Sequence, residues 1–148
     1  SDAGGSAKVR TGGITPDLIP SPDRLAVFIL RCTEAKVRFK ATAGLHHPLR
    51  SIHPLSYAPM SPSALMHGFL NVLLASAWAC SGAGLTMVEG ILKEETPGAF
   101  RIDNDEVRWR GRQLSGHQLL DMRRKLFVAF GSCSFLEPVS EMKGLDLL

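Results

Sequence analysis

The sequence predicts an α/β fold, in which a βαβ unit with short parallel strands is followed by a helix-rich second half. Two short segments, residues 7–11 and 37–42, alternate apolar with basic or small residues and stop at glycine. Residues 21–35, which lie between them, combine helix-start signals with an apolar run. Two such strands joined by one helix make a βαβ unit, whose strands are parallel and whose crossover is right-handed.

Each element of this unit carries its own signals. The first strand ends at Gly12 and Gly13 and the second stops at Gly44, as expected where a strand turns sharply. Ser21 is a good N-cap for the helix, and Pro22 suits the first helical position because it lacks an N–H group. The apolar run that follows predicts a largely buried helix.

Periodicity and turn signals organise the rest of the chain. In order, they predict a loop over 46–60, a helix over 61–80, a short helix over 85–95, a hairpin of 100–102 with 107–109, a helix over 115–130 and a short helix from 137. Ser115 and Gln118 have the spacing of a capping box at the start of the fifth of these elements.

Size, composition and charge exclude several classes. The chain has 148 residues, of which 45% are hydrophobic and 21% charged, and this suits one globular domain. The net charge of +3 is small and its cations are scattered, so nucleic-acid binding is not expected. The most apolar stretch, residues 64–80, contains polar residues and is too short for a membrane span, so no membrane partner is expected.

The cysteines and the N-terminus indicate the setting of the chain. Cys32, Cys80 and Cys133 are far apart and form no CxxC pair, which is typical of a reducing compartment. Since the first residues show no signal-peptide pattern, we expect a cytoplasmic protein. The chain starts at Ser1, and residues 1–6 have the composition of a flexible end, so we expect a fragment of a longer protein.

The two strand ends share a pattern of basic, apolar, basic and small residues followed by glycine, in KVRTGG and RFKATAG. In parallel α/β sheets, ligands bind at the carboxyl ends of the strands. We therefore expect one small anion to be held by residues from both ends: Arg10, Thr11, Gly12, Gly13, Lys40, Thr42, Gly44, His46 and His47. The alternative is that these glycines serve tight turns and the basic residues are solvated.

Within this predicted site, Lys40 and Arg10 would hold the anion and His46 or His47 would move a proton. Lys40 has two other possible roles, as a base or Schiff-base lysine and as a simple ion-pair partner. The histidine spacing fits no zinc pattern, so no metal and no other cofactor is expected.

Two further groups are candidates for the same ligand. His67 and Asn71 share a helix face, either as a satisfied polar spot in the core or as a wall of the site. Ser132 and Ser134 stand in a turn whose hydroxyl groups would hold an anion, or which merely ends a helix. Cys133 has no evident base as a nucleophile, and the alternating arginines at 108, 110 and 112 are given no function.

Four motifs in this order, KVRTGG, FKATAGLHHP, MHGFLN and GSCSFLEPV, resemble the C-terminal half of a family of uncharacterised bacterial proteins. The resemblance covers nearly the whole chain and implies an excised domain, but it implies no reaction. More loosely, the strand ends resemble part of a TIM-type (β/α)-barrel with a phosphate-binding rim. A barrel needs eight parallel strands and only two are evident, so we expect homodimerisation to protect the open sheet edges.

Two functions follow as hypotheses. The first is a domain that binds, and as an enzyme would transform, a small anionic or phosphorylated metabolite at the carboxyl ends of the strands. The second is a non-catalytic assembly or ligand-binding domain, whose motifs build a subunit interface. The sequence leaves open whether the protein is an enzyme, because no standard catalytic motif is present.

Overall fold

The computed structural model describes residues 4–132, 134 and 136–147. These residues form five α-helices, eight strands and two short 3-10 helices. The α-helices are α1 (Pro22–Glu34), α2 (Phe69–Cys80), α3 (Leu85–Leu92), α4 (Gly116–Lys125) and α5 (Leu136–Gly144). The strands are β1 (Ala7–Arg10), β2 (Phe39–Thr42), β3 (Ser51–Pro54), β4 (Ser63–Met66), β5 (Phe100–Ile102), β6 (Glu106–Trp109), β7 (Arg112–Ser115) and β8 (Phe127–Phe130). The α/β class predicted from the sequence is confirmed.

A three-stranded parallel sheet forms the centre of the fold, in the order β1-β2-β8. The β1-α1-β2 unit confirms the predicted βαβ arrangement, with Ala7 opposite Phe39 and Arg10 opposite Thr42. The Phe39 ring meets Phe28 of α1 edge to face at 5.2 Å and stacks on Phe127 of β8 at 5.0 Å between centroids. These aromatic contacts fix α1 and β8 against the central strand, β2.

The helices pack together on one face of this sheet. Helix α2 is buried on nearly every side and packs against α1, α3 and α4. Its apolar sequence therefore serves the core. None of the helices in the described part of the chain has the length and apolar character that crossing a membrane requires.

The predicted hairpin is confirmed and extends into a three-stranded antiparallel sheet, β5-β6-β7. Arg110 and Gly111, with φ of 45° and 78°, form the second turn, because positive φ at both central residues matches the twist of a hairpin. At the end of β7, Ser115 and Gln118 form the predicted capping box of α4, in which the Gln118 N–H donates to Ser115 Oγ at 3.3 Å.

The prediction of one helix over 61–80 is wrong in its first part. Residues 63–66 form β4, which pairs with β3, and α2 begins only at Phe69. The prediction of a loop over 46–60 misses β3, because this strand forms through its pairing with β4. A Cβ atom on Gly68 would lie 2.4 Å from Leu49 Cα, so this glycine allows the two chain segments to touch where the helix starts.

The prediction of a helix over 115–130 is also wrong in its last part. Helix α4 ends at Lys125, and residues 127–130 form β8. The apolar residues of this short run fit the helical and the strand period equally well, and strand pairing decides between the two. Phe127 lies opposite Phe39 and Phe130 opposite Ala41, with a register shift between these two pairs. The second half thus contains α3, α4 and α5 and also four strands.

The strands of the described residues belong to three separate sheets of three, two and three strands. The likeness to a TIM-type barrel is therefore not confirmed.

Candidate functional site

The carboxyl ends of β2 and β8 bring His46 next to Ser132. After β2, Ala43 and Gly44 adopt positive φ angles of 63° and 78°, which turn the chain sharply across the end of β8. His46 Nδ1 then lies 3.2 Å from Ser132 Oγ. Because the Ser132 hydroxyl donates to the Ser134 carbonyl at 2.8 Å, it accepts from His46, which assigns the proton to Nδ1 and the lone pair to Nε2.

His47, the next residue, contacts helix α5. Its Nδ1 atom lies 2.8 Å from Oε1 and 3.0 Å from Oε2 of Glu141. An ionised carboxylate only accepts hydrogen bonds, so Nδ1 of His47 carries the proton. In the neutral ring, Nε2 is then the basic atom, an arrangement that carboxylate–histidine pairs use to orient a general base.

His53 of β3 completes a group of three histidines. Its ring stacks on His47 with 3.2 Å between centroids and 5° between planes. Its Nε2 atom lies 2.6 Å from the Ser51 hydroxyl, which in turn donates to the Leu49 carbonyl at 3.0 Å. His53 therefore supports the His47 ring from one side, as Glu141 does at its edge.

Burial controls the charge of two of these rings. It lowers the pKa of His46 below its ordinary value, and the neighbouring charge of His47 lowers it further, against a smaller opposing effect of Glu137. Burial likewise lowers the pKa of His53, with a further contribution from His47. Both rings are thus neutral at pH 7 and can accept a proton.

His46 and His47 line a cleft of about 550 Å³. Its opposite wall is the β3–β4 connection, residues 55–62, in which Tyr57 and Met60 are 79% and 101% exposed. The Tyr57 hydroxyl donates to Glu137 of α5 at 3.0 Å and so links this connection to the helix. The cleft joins apolar side chains to a few polar groups, as small-molecule sites do.

The described lining of this cleft contains no lysine or arginine. The structure places Lys40 and Arg10 on the exposed face of the parallel sheet instead. Two of the residues predicted as catalytic, His46 and His47, therefore lie together, and the third lies on a different surface.

The predicted threonine ligands contact main chain. Thr11 is fully buried, and its hydroxyl donates to the Ala43 carbonyl at 2.5 Å. The Thr42 hydroxyl donates to the Val9 carbonyl at 3.3 Å. Both hydroxyls thus join the ends of β1 and β2.

The predicted glycine ligands stand at close approaches of the chain. A Cβ atom on Gly12 would lie 2.6 Å from Gly44 Cα, and one on Gly13 would lie 2.4 Å from Leu18 Cδ1. Both distances are shorter than any non-bonded carbon contact allows. The atom that faces Gly12 is main chain, so the packing requires glycine there, whereas at Gly13 the Leu18 side chain would have to shift.

His67 and Asn71 are fully buried. Asn71 accepts from the Arg50 N–H at 2.9 Å and donates to the carbonyls of Ile91 and Glu94 at 2.8 Å each. His67 Nε2 lies 2.7 Å from the Pro20 carbonyl, whereas its Nδ1 has no hydrogen-bond partner among the described residues. These contacts place both side chains in the core, where they join α2 to the loops around it.

Ser134 lies in the turn between β8 and α5. Its hydroxyl accepts from the Glu137 N–H at 3.2 Å, and its carbonyl accepts from Ser132. Together with Phe69 and Phe130, Ser132 and Ser134 border a second cleft of about 600 Å³ beside α5. Cys133, which has no evident base as a nucleophile, lies outside the described residues.

Glu137, Glu141 and Tyr57 are not among the site residues predicted from the sequence. The two glutamates are four residues apart on α5, a spacing that places them on one helix face, and this was the available signal. Nothing in the sequence pairs them with Tyr57 and His47. No group of three or more His, Cys, Asp or Glu side chains suited to a metal ion occurs in the part of the chain that the structure describes.

No protein family, no curated protein and no solved structure matches the chain. The resemblance of its four motifs to a bacterial family stays a prediction.

Proposed function

We propose that the cleft beside His46 and His47 binds a small anionic molecule and that one of these histidines transfers a proton to or from it. The observation that carries this proposal is the contact of Glu141 with His47, at 2.8 Å, because His47 lines a 550 Å³ cleft. Glu141 fixes the ring and its tautomer, so the unprotonated nitrogen has a defined position. The pair is built as enzymes build a general base.

The lining of the cleft defines the ligand further. Tyr57 and Met60 offer an exposed apolar surface, and exposed apolar groups around a cleft mark binding sites. The ligand would place an apolar part there and a single carboxylate or phosphate group at the imidazoles, where a ring that has taken up a proton at Nε2 donates to it. A phosphorylated metabolite belongs to this class, provided that the part without the phosphate group is apolar enough to cover Tyr57.

The alternative is an assembly domain without chemistry, and the sheet edges favour it. The outer edges of β1 and β8 pair with no strand among the described residues, and open edges pair readily with another chain. A homodimer in a cytoplasmic setting belongs to this second proposal.

Thermal-shift titration with benzoate, phenyl phosphate, acetate and inorganic phosphate tests the first proposal. A ligand that binds only the folded protein raises the melting temperature by mass action. We expect the two aromatic anions to stabilise the wild type more than the two simple ones, because only they cover Tyr57.

Three variants locate the effect. His47→Gln should abolish the shift, whereas Lys40→Ala and His117→Gln, which change exposed residues outside the cleft lining, should keep it. Loss of the shift in Lys40→Ala but not in His47→Gln would place the anion on the sheet face and contradict the proposal. Absence of a shift with all four anions would leave the assembly proposal in its place.

A further inference from the structure

The parallel sheet is covered by helices on only one face. The side chains of Phe39, Ala41 and Phe127 point into the core, whereas Lys40, between Phe39 and Ala41, is exposed. Ala129, which the register shift between β2 and β8 sets opposite Lys40, is exposed as well. Parallel sheets occur almost only with both faces covered, because the strands of βαβ units are packed between layers. The uncovered face is therefore a surface that lacks a layer.

This face, formed by Lys8, Arg10, Lys40, Thr42 and Ala129, is basic. Lys8 lies opposite Lys40 in the strand register, and Arg10 lies opposite Thr42. Neighbouring strands are ~4.8 Å apart, and like charges at opposite positions repel each other. Neither lysine, nor Arg10, has a carboxylate within ion-pair distance among the residues that the structure describes. The folded chain thus has a row of positive charges that no carboxylate among the described residues neutralises.

The spacing of these charges matches the spacing of carboxylates on a helix. Lys8 and Arg10 are two residues apart on one strand, which is ~6.6 Å at ~3.3 Å per residue. Residues four apart on a helix are ~6 Å apart along its axis, at ~1.5 Å per residue. A helix that lies along β1 and β2 can therefore set successive acidic side chains against successive cations. The small Ala129 side chain leaves room for its apolar residues beside them.

We propose that this basic sheet face docks an acidic amphipathic helix of a partner protein, with glutamate or aspartate at four-residue spacing facing the sheet. Such a helix would supply both the missing layer and the missing negative charge. A second copy of the same face fits poorly, since it would set lysine against lysine. A nucleic acid fits poorly as well, because the face has no aromatic side chain on which a base could stack.

Titration with a synthetic helix tests the proposal. The probe is a peptide of alanine and leucine with glutamates every fourth residue along one face, and the reference peptide has glutamine in their place. Binding is followed through the backbone amide NMR signals of β1 and β2. We expect the glutamate peptide to shift these signals and the glutamine peptide to leave them unchanged.

A matched pair of variants separates docking from general attraction. Lys8→Glu with Lys40→Glu should weaken binding of the glutamate peptide at least about tenfold, because two attractions become repulsions. Arg123→Glu with Arg124→Glu changes the net charge equally on the exposed side of α4 and should leave binding unchanged. A second variant, Lys8→Gln with Lys40→Gln, removes the two charges without reversing them. A circular dichroism melt of both variants shows that the sheet itself remains folded.

Four outcomes would overturn the proposal. Equal weakening in both charge-reversed variants would show attraction without a defined surface, and unshifted β1 and β2 signals would exclude docking at this face. Self-association of the wild type that the Lys8→Glu and Lys40→Glu changes abolish would make a second copy the occupant. Tighter binding of a single-stranded oligonucleotide than of the peptide, lost in the same variant, would make the partner a nucleic acid.

Discussion

The Nδ1 atom of His47 lies 2.8 Å from Oε1 of Glu141, although 94 residues separate them in the chain. One belongs to the turn after β2 and the other to α5, so this contact ties α5 to the turn whose His47 lines the cleft. Glu137, one helical turn earlier, holds Tyr57 in the same way. Helix α5 is thus attached to the fold partly through two carboxylates that also define the candidate site.

Replacing Glu141 with glutamine should destabilise the protein by about 1 kcal/mol, the usual net value of a partly exposed charge-assisted hydrogen bond. We expect faster amide hydrogen exchange in α5 and weaker binding in the cleft, because the His47 ring loses its anchor. Chemical denaturation and hydrogen exchange measure the two effects. Glu34→Gln removes an exposed ion pair with Arg31 and serves as the control; equal exchange in α5 of wild type and E141Q would contradict the anchoring role.

Gly12→Ala should destabilise the protein by about 1–3 kcal/mol, as overpacking of a tight contact does. The added methyl group would lie 2.6 Å from Gly44 Cα, and main chain cannot yield as a side-chain tip can. Gly98→Ala is the matched control, because a Cβ atom there meets nothing within 4 Å. Thermal melts of the two variants should differ clearly, and equal melting temperatures would show that the strand ends are looser than described.

Glu94→Gln should cost about 2 kcal/mol near neutral pH, since the variant leaves strong donors without their charged acceptor. Burial opposes ionisation of this carboxylate, but hydrogen bonds from Arg110, Thr96 and Trp109 outweigh it and lower the pKa of Glu94 to about 2. A depressed carboxyl pKa stabilises the fold above its ordinary value of 4.5, and this contribution is lost as the pH falls toward about 2.

Urea denaturation of wild type and Glu94→Gln at pH 7 and pH 3 measures this dependence. The difference in unfolding free energy between the two proteins should shrink at the lower pH. A difference that is the same at both pH values would mean that the negative charge of Glu94 does not contribute to the free energy of unfolding.

Acidification below pH 6.5 should destabilise the protein through His67. Burial lowers the pKa of this ring, so the unfolded chain takes up a proton more readily than the folded one. The contribution of the neutral His67 ring to stability is complete above the ordinary pKa of 6.5 and is lost as the pH falls below it. His46 and His53 contribute in the same direction.

Denaturation midpoints at pH 7.5 and pH 5.5 show the size of this effect. His67→Gln should flatten the dependence, because the amide can still donate to the Pro20 carbonyl without gaining a charge. His117→Gln, at an exposed position of α4, should keep the wild-type slope. An unchanged slope in His67→Gln would assign the acid sensitivity to the other histidines.

Local signals were enough to predict much of the fold. Proline after serine marks the start of α1, glycine marks the ends of β1 and β2, and Ser115 with Gln118 marks the start of α4. Each of these depends on residues within a few positions of one another, so the sequence displays it directly.

The errors arose where distant pairing decides the structure. Residues 63–66 look helical because they adjoin the apolar run of α2, yet they pair with β3 across the connection. Phe127 and Phe130 fit a helix until Phe39 and Ala41 are known to lie opposite them. His46 and His47 could be proposed from their place after β2, whereas Glu141 could not, because no local pattern connects α5 to that turn.

Gly12 and Gly44 meet main chain against main chain, with no side chain between them. Flexible side chains elsewhere can change rotamer and absorb a displacement, but this junction contains nothing that can yield. The turns after β1 and β2 are therefore packed directly on each other, so a substitution that displaces the first turn also displaces the segment that leads to His46 and His47.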